Sequence, residues 1–251
     1  MTHFTVLVRF EGTLEEAKER ITEMLAPYDE NKEVEPYKKY LSASTATQMA
    51  NHYGLNKSDV GLLVEKMKEW TGRIGGVDEK GLFYLSTYNP KSKWDFWSIG
   101  GRWSGTFVLK QNREGIKGVP GVFRNEVGID IAYLKDLDFE LMRDKRQSDS
   151  IELWNQFISK VEVGKDPSIE MWLHGIEDAD TFEIFSRRRG TVLATHAVLD
   201  DKGWHEPSKM GWFGIDYDAT EDELTWSTKF YERFLSNPTE HTIVAIVDCH
   251  I

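Results

Sequence analysis

Two sets of residues in this sequence are of the types that do chemistry. The first is His3, Asp248 and His250, two imidazoles and a carboxylate. Such groups serve as general acids and bases or as metal ligands. The second is the run Thr87 to Gly105, TYNPKSKWDFWSIGGRWSG, with an echo from Lys209 to Gly214, KMGWFG. Tryptophan offers a flat face for stacking, and lysine or arginine a charge for an anion. Lys93, Trp94, Trp97, Gly100, Gly101, Arg102, Trp103, Lys209 and Trp212 are therefore the candidate ligand-binding residues. Gly100 and Gly101 let the backbone turn sharply or let another group approach closely. The same run would equally build an aromatic corner of a core.

Other chemistry is thinly represented. The sequence has no phosphate loop, GxGxxG, HExxH, GxSxG or paired-cysteine signature. Cys249 lies in an apolar run and reads as an inert core thiol. His196 reads as a sheet histidine, Asp95 as a local partner for Arg102, and Arg187 to Arg189 as cations at a helix C-terminus.

The elements that must position these residues follow from periodicity. HFTVLVRF alternates, so His3 to Phe10 is a strand with Phe4, Val6, Val8 and Phe10 on its buried face. Thr13 with Glu16 has the spacing of a capping box before a helix striped by Leu14, Ala17, Ile21 and Leu25. Thr45 to Trp70 reads as two helices broken at Gly54. Further strands are expected at Leu82 to Tyr88, Phe107 to Lys110 and Thr191 to Leu199. A helical stretch is expected from Asp138 to Val163, its second half capped at Asp149. A last helix is expected from Thr220, with Leu224, Tyr231, Phe234 and Leu235 facing inward. Thr242 to Cys249, TIVAIVDC, is continuously apolar and reads as a strand buried on both faces.

The fold class is α+β: a mixed or antiparallel sheet with a ferredoxin-like terminal layer, first and last strands paired, and helical insertions. The expected organisation is a single domain over 1–251 with a helical insertion at about 38–80. If the terminal strands pair antiparallel, Asp248 and His250 share a face and lie near His3 and Thr5.

Charge narrows the partners. Net charge is −11, which opposes general nucleic-acid binding. No apolar run reaches membrane-spanning length, and Met-Thr-His-Phe is no secretory signal, so a cytoplasmic protein is expected.

Four blocks, Ala26 to Tyr37, Ser86 to Gly105, His196 to Gly214 and Val247 to Ile251, resemble a family of bacteriophage and prophage proteins without an established activity. Phe96 stands where that family usually has Trp, and 38–80 differs. The resemblance implies a phage accessory protein in the host cytoplasm and transfers no catalytic residue. The leading expectation is a non-enzymatic protein that binds a small anionic or nucleotide-like ligand, such as a host immune signal, in a Trp/Arg-lined pocket, with no cofactor. The alternatives are a metal-dependent hydrolase or nucleotide-processing enzyme using His3, Asp248 and His250, and an acidic inhibitor that binds a host defence protein.

Overall fold

The computed structural model describes residues 2–121, 128–178, 180–189, 193–211 and 218–251. In chain order its elements begin with β1 (His3–Glu11), α1 (Ala17–Leu25), β2 (Tyr37–Tyr40), α2 (Ala43–His52) and α3 (Val60–Thr71). Then come β3 (Gly75–Asp78), β4 (Gly81–Ser86), β5 (Phe96–Gly101), β6 (Ile116–Lys117), β7 (Val119–Pro120) and β8 (Ile129–Tyr133). The last are α4 (Phe139–Glu162), α5 (Pro167–His174), α6 (Phe182–Arg189), β9 (Ala197–Asp200), β10 (Gly203–His205), α7 (Glu223–Phe230) and β11 (Thr242–His250). The fold is α+β. Two compact units divide it, Pro27–Lys93 and the remainder, Met1–Ala26 with Trp94–Ile251.

The larger unit is built on β11. Its residues from Thr242 to Cys249 are all buried, as the continuous apolar run requires. β1 pairs with it antiparallel over its full length, from His3 opposite His250 to Glu11 opposite Thr242. The other edge of β11 is shared: β5 takes Val247 to His250, and β8 takes Ile243 to Ala245. β9 lies parallel to β1 and continues through a tight turn into β10.

Both sheet faces are covered. Leu7, Val198, Val244 and Ile246 pack with Trp226, Phe230 and Leu235, and with Leu134, Leu137 and Met142. Each large side chain withdrawn from water here contributes roughly 1.5–3 kcal/mol. Phe4, Val6 and Val8 belong to the opposite face; α1 packs on β9 and buries Ala17, Ile21 and Leu25. Leu7 is fully buried too, so the middle of β1 is enclosed on both sides, beyond the one-faced strand its alternation suggests.

Several local expectations are corrected. The Thr13 hydroxyl bonds the Glu16 side chain at 2.9 Å instead of capping backbone, and α1 starts at Ala17. α4 is one continuous helix capped by Asp138, with no break at Asp149. Phe107 to Lys110 makes only isolated bridges, Phe107 to Ile129 and Leu109 to Leu137. β9 begins at Ala197, and 190–192 lie outside the described residues. Asp222, not Thr220, caps α7, and the helix buries Trp226 and Phe230 while Leu224 and Tyr231 stay exposed. Two extra residues of offset rotate the inward face.

Within Pro27–Lys93, β2, β4 and β3 form a three-stranded antiparallel sheet. α2 and α3 bury Met49, Ala50, Leu63 and Met67. This stretch therefore carries strands as well as the expected helical pair.

A polar clasp closes the far end of the terminal pair. The Glu11 carboxylate accepts from the hydroxyls of Thr239 and Thr242. Burial alone would raise the Glu11 pKa, but those two hydrogen bonds and the charge of Arg9 more than offset it, leaving it below the usual value. A depressed pKa contributes stability above the ordinary carboxylate range and loses it as the pH falls through that range. Glu11→Gln should cost about 0.5 kcal/mol near neutrality, after solvent screening, and less in acid. Urea midpoints for both proteins at two pH values measure this; an equal difference at both would exclude the clasp.

Candidate acid–base site

Three neighbouring strands place the chemistry. Cross-strand partners share a sheet face, so Phe96 on β5, His250 on β11 and His3 on β1 form one row. Ser98, Asp248 and Thr5 form the next row on the same face. Further along that face the residues become the apolar Leu7 and Ile246 of the core. The polar rows are thus the end of a hydrophobic face, where alternation continues but the side chains change character.

Each imidazole is held by a carboxylate. His3 Nδ1 donates to Asp248 Oδ1 at 2.7 Å, and His250 Nδ1 donates to Asp95 Oδ1 at 2.5 Å. An ionised carboxylate only accepts, so both rings carry the proton on Nδ1 and present Nε2 as the basic nitrogen. The rings meet edge to face, with centroids 4.9 Å apart. Asp248 is buried, whereas Asp95 is open to solvent. Among the described residues no three His, Cys, Asp or Glu side chains are grouped to hold a metal ion.

The second oxygen of Asp248 explains half of the glycine-rich block. Asp248 Oδ2 accepts the backbone N–H of Arg102 at 2.9 Å. Gly101 has φ 53°, and a Cβ there would lie 2.3 Å from the same oxygen. Gly100 has φ 80°, and its Cβ would lie 2.3 Å from Asp130 Oδ2. Asp130 is fully buried and accepts from the Ser104 hydroxyl at 2.6 Å and from the N–H groups of Gly105 and Gly118 at 2.8 and 3.1 Å. The Gly-Gly pair is a turn pressed onto two carboxylates. One of them orients His3.

The remaining candidates scatter. Trp94 is core, its indole donating to the Leu25 carbonyl at 3.3 Å, and Trp97 packs edge to face against it. Trp97 lies opposite Cys249, on the face away from the histidine rows. Trp103 is half-buried against the main core and lines a cavity of about 210 Å³ with Lys145 and Arg146. Arg102 is exposed. Lys93 belongs to the Pro27–Lys93 unit, where its N–H bonds the Tyr28 carbonyl.

Lys209 pairs with Asp218 at 2.7 Å beside a cavity of about 590 Å³ floored by Trp204, Trp226 and Phe234. Arg233 at that cavity makes two bonds to Glu221, at 2.5 and 2.8 Å, so its positive charge is neutralised locally. Trp212, with Phe213 and Gly214, lies outside the described residues.

Burial raises the Cys249 thiol well above its ordinary pKa, with Asp248 adding to the effect, so no thiolate nucleophile is available there. Asp95 and Phe96 were missed as site residues. The strand they face is distant in sequence, and no local signal pointed to that pairing.

No family model, curated protein or solved structure matches this chain.

Proposed function

We propose that this protein is an enzyme that cleaves or transfers an ester by acid–base catalysis between His3 and His250. The observation that carries this reading is the pair of imidazoles in contact, each oriented at Nδ1 by its own carboxylate. Orientation by a carboxylate is how an imidazole is kept in one tautomer with Nε2 available to a substrate.

One ring, neutral, takes a proton from the attacking water or hydroxyl as its oxygen bonds the ester centre. The other, protonated, gives its proton to the leaving oxygen as that bond breaks. The rings end with exchanged protonation and reset with solvent. Asp248 and Asp95 are positioning residues. Neither step requires a metal or a nucleophilic cysteine. In the setting that the phage resemblance implies, the substrate would be a molecule of the host cytoplasm.

The test is turnover of p-nitrophenyl acetate and methyl p-nitrophenyl phosphate in the presence of EDTA. The rate should fall at both ends of the pH range, because one ring must be neutral and the other charged. His3→Ala and His250→Ala should each lower kcat by about 100-fold or more. Full activity in both variants, or complete loss with EDTA, would overturn the proposal.

A further inference from the structure

The geometry points to a small nucleotide phosphodiester as the substrate; this inference rests on the acid–base reading of His3 and His250. Three observations converge on it. Phe96 is 59% exposed, so the face of its ring is open to a ligand, and it sits directly across from His250 on the same face. Adjacent strands lie about 4.8 Å apart, so the row Phe96, His250, His3 offers a stacking platform one strand from the first imidazole and two from the second. A nucleobase on the ring would carry its sugar and phosphate over the histidines.

A cation rooted at the adjoining row suits a phosphate. Arg102 is exposed and rooted in the peptide whose N–H is bonded to Asp248, the carboxylate that holds His3. A cationic side chain thus starts at a residue whose backbone is bonded to Asp248, and a guanidinium matches phosphate oxygens with its planar fork. Ser98 and Thr5 in the adjoining row add hydroxyls. The scale of the ligand follows from the protein's net charge of −11, which repels a polyanion and leaves a dinucleotide or cyclic nucleotide in place of a long strand.

The step balances with water alone. Water oxygen bonds phosphorus while one imidazole takes its proton. The bond from phosphorus to the departing sugar oxygen breaks, and the other imidazole protonates that oxygen. The products are a phosphomonoester and an alcohol, both carried on one molecule when the diester is cyclic.

Binding to an inactive protein separates this inference from the reading beneath it. The double variant H3A/H250A is titrated calorimetrically with adenosine 3′-monophosphate and with inorganic phosphate. The nucleotide should bind about tenfold tighter, the worth of one stacked base. Adding Phe96→Ala, which removes an exposed ring and leaves the core intact, should abolish that difference. Adding Arg102→Ala should weaken both ligands together. Equal affinity for nucleotide and phosphate, or a preference unchanged by Phe96→Ala, would overturn the nucleotide assignment. Continued ester turnover by the unmodified protein would then leave the acid–base reading standing.

Discussion

Replacing Asp130 with alanine is expected to destabilise the protein by about 4 kcal/mol, near the upper end for a single substitution. The carboxylate is fully buried and receives, among the described residues, at least three donors, the Ser104 hydroxyl and the N–H groups of Gly105 and Gly118. Alanine strands all three, and each buried donor without an acceptor costs roughly 1–3 kcal/mol. Partial entry of water into the vacated space would recover some of that. Asp130→Asn keeps the volume and one acceptor oxygen, but turns an amide toward a donor, so about half the loss should persist. Urea unfolding followed by tryptophan fluorescence reads the difference. A shift below about 1 kcal/mol for alanine would mean that the donors find other partners.

The second large effect is expected from Gly101→Ala, measured against Gly100→Ala. Both glycines occupy the left-handed region, where an added Cβ costs roughly 1–2 kcal/mol. Both Cβ atoms would also strike a carboxylate oxygen at 2.3 Å. The carboxylates differ: Gly100 presses on Asp130 and Gly101 on Asp248. Each variant should therefore lose about 2–4 kcal/mol of stability.

Only Gly101→Ala must push the group that orients His3. At a temperature where both variants are folded, Gly101→Ala should lower kcat by about tenfold beyond Gly100→Ala. KM should change little. Equal kcat values would show that Asp248 does not position the ring.

The sequence showed the frame more clearly than the site. The terminal strands were legible because strict alternation in HFTVLVRF and the continuous run TIVAIVDC each dictate a burial pattern. Pairing them antiparallel then brought His3 beside Asp248 and His250, as the register has it. Asp95 was read only as a local partner for Arg102; that its Oδ1 accepts from the His250 Nδ1–H was not foreseen. That bond exists only because β5 docks on β11, and nothing local in WDFWSIGG announces the docking.

The glycine pair illustrates a different limit. Composition allowed a turn or a close approach, and the structure uses both at once, with the approaching atoms supplied from Asp130 and Asp248. Helix starts failed for a subtler reason. Thr13 and Thr220 had cap-like spacing, but a competing side chain took the hydroxyl of the first, and Asp222 accepted the Thr225 N–H in place of the second.

The antiparallel pairing of β1 with β11 has a consequence for when the site comes into being. His3 and Asp248 are bonded across 245 positions of sequence, so no fragment lacking either strand contains the dyad. Closing so long a loop is entropically late in folding, after local helices and hairpins have formed. Catalysis would then report the finished tertiary structure. A partly folded chain could hold a native α4 or β9–β10 hairpin and still be silent, and fraying of the outermost strand residues alone would switch the protein off.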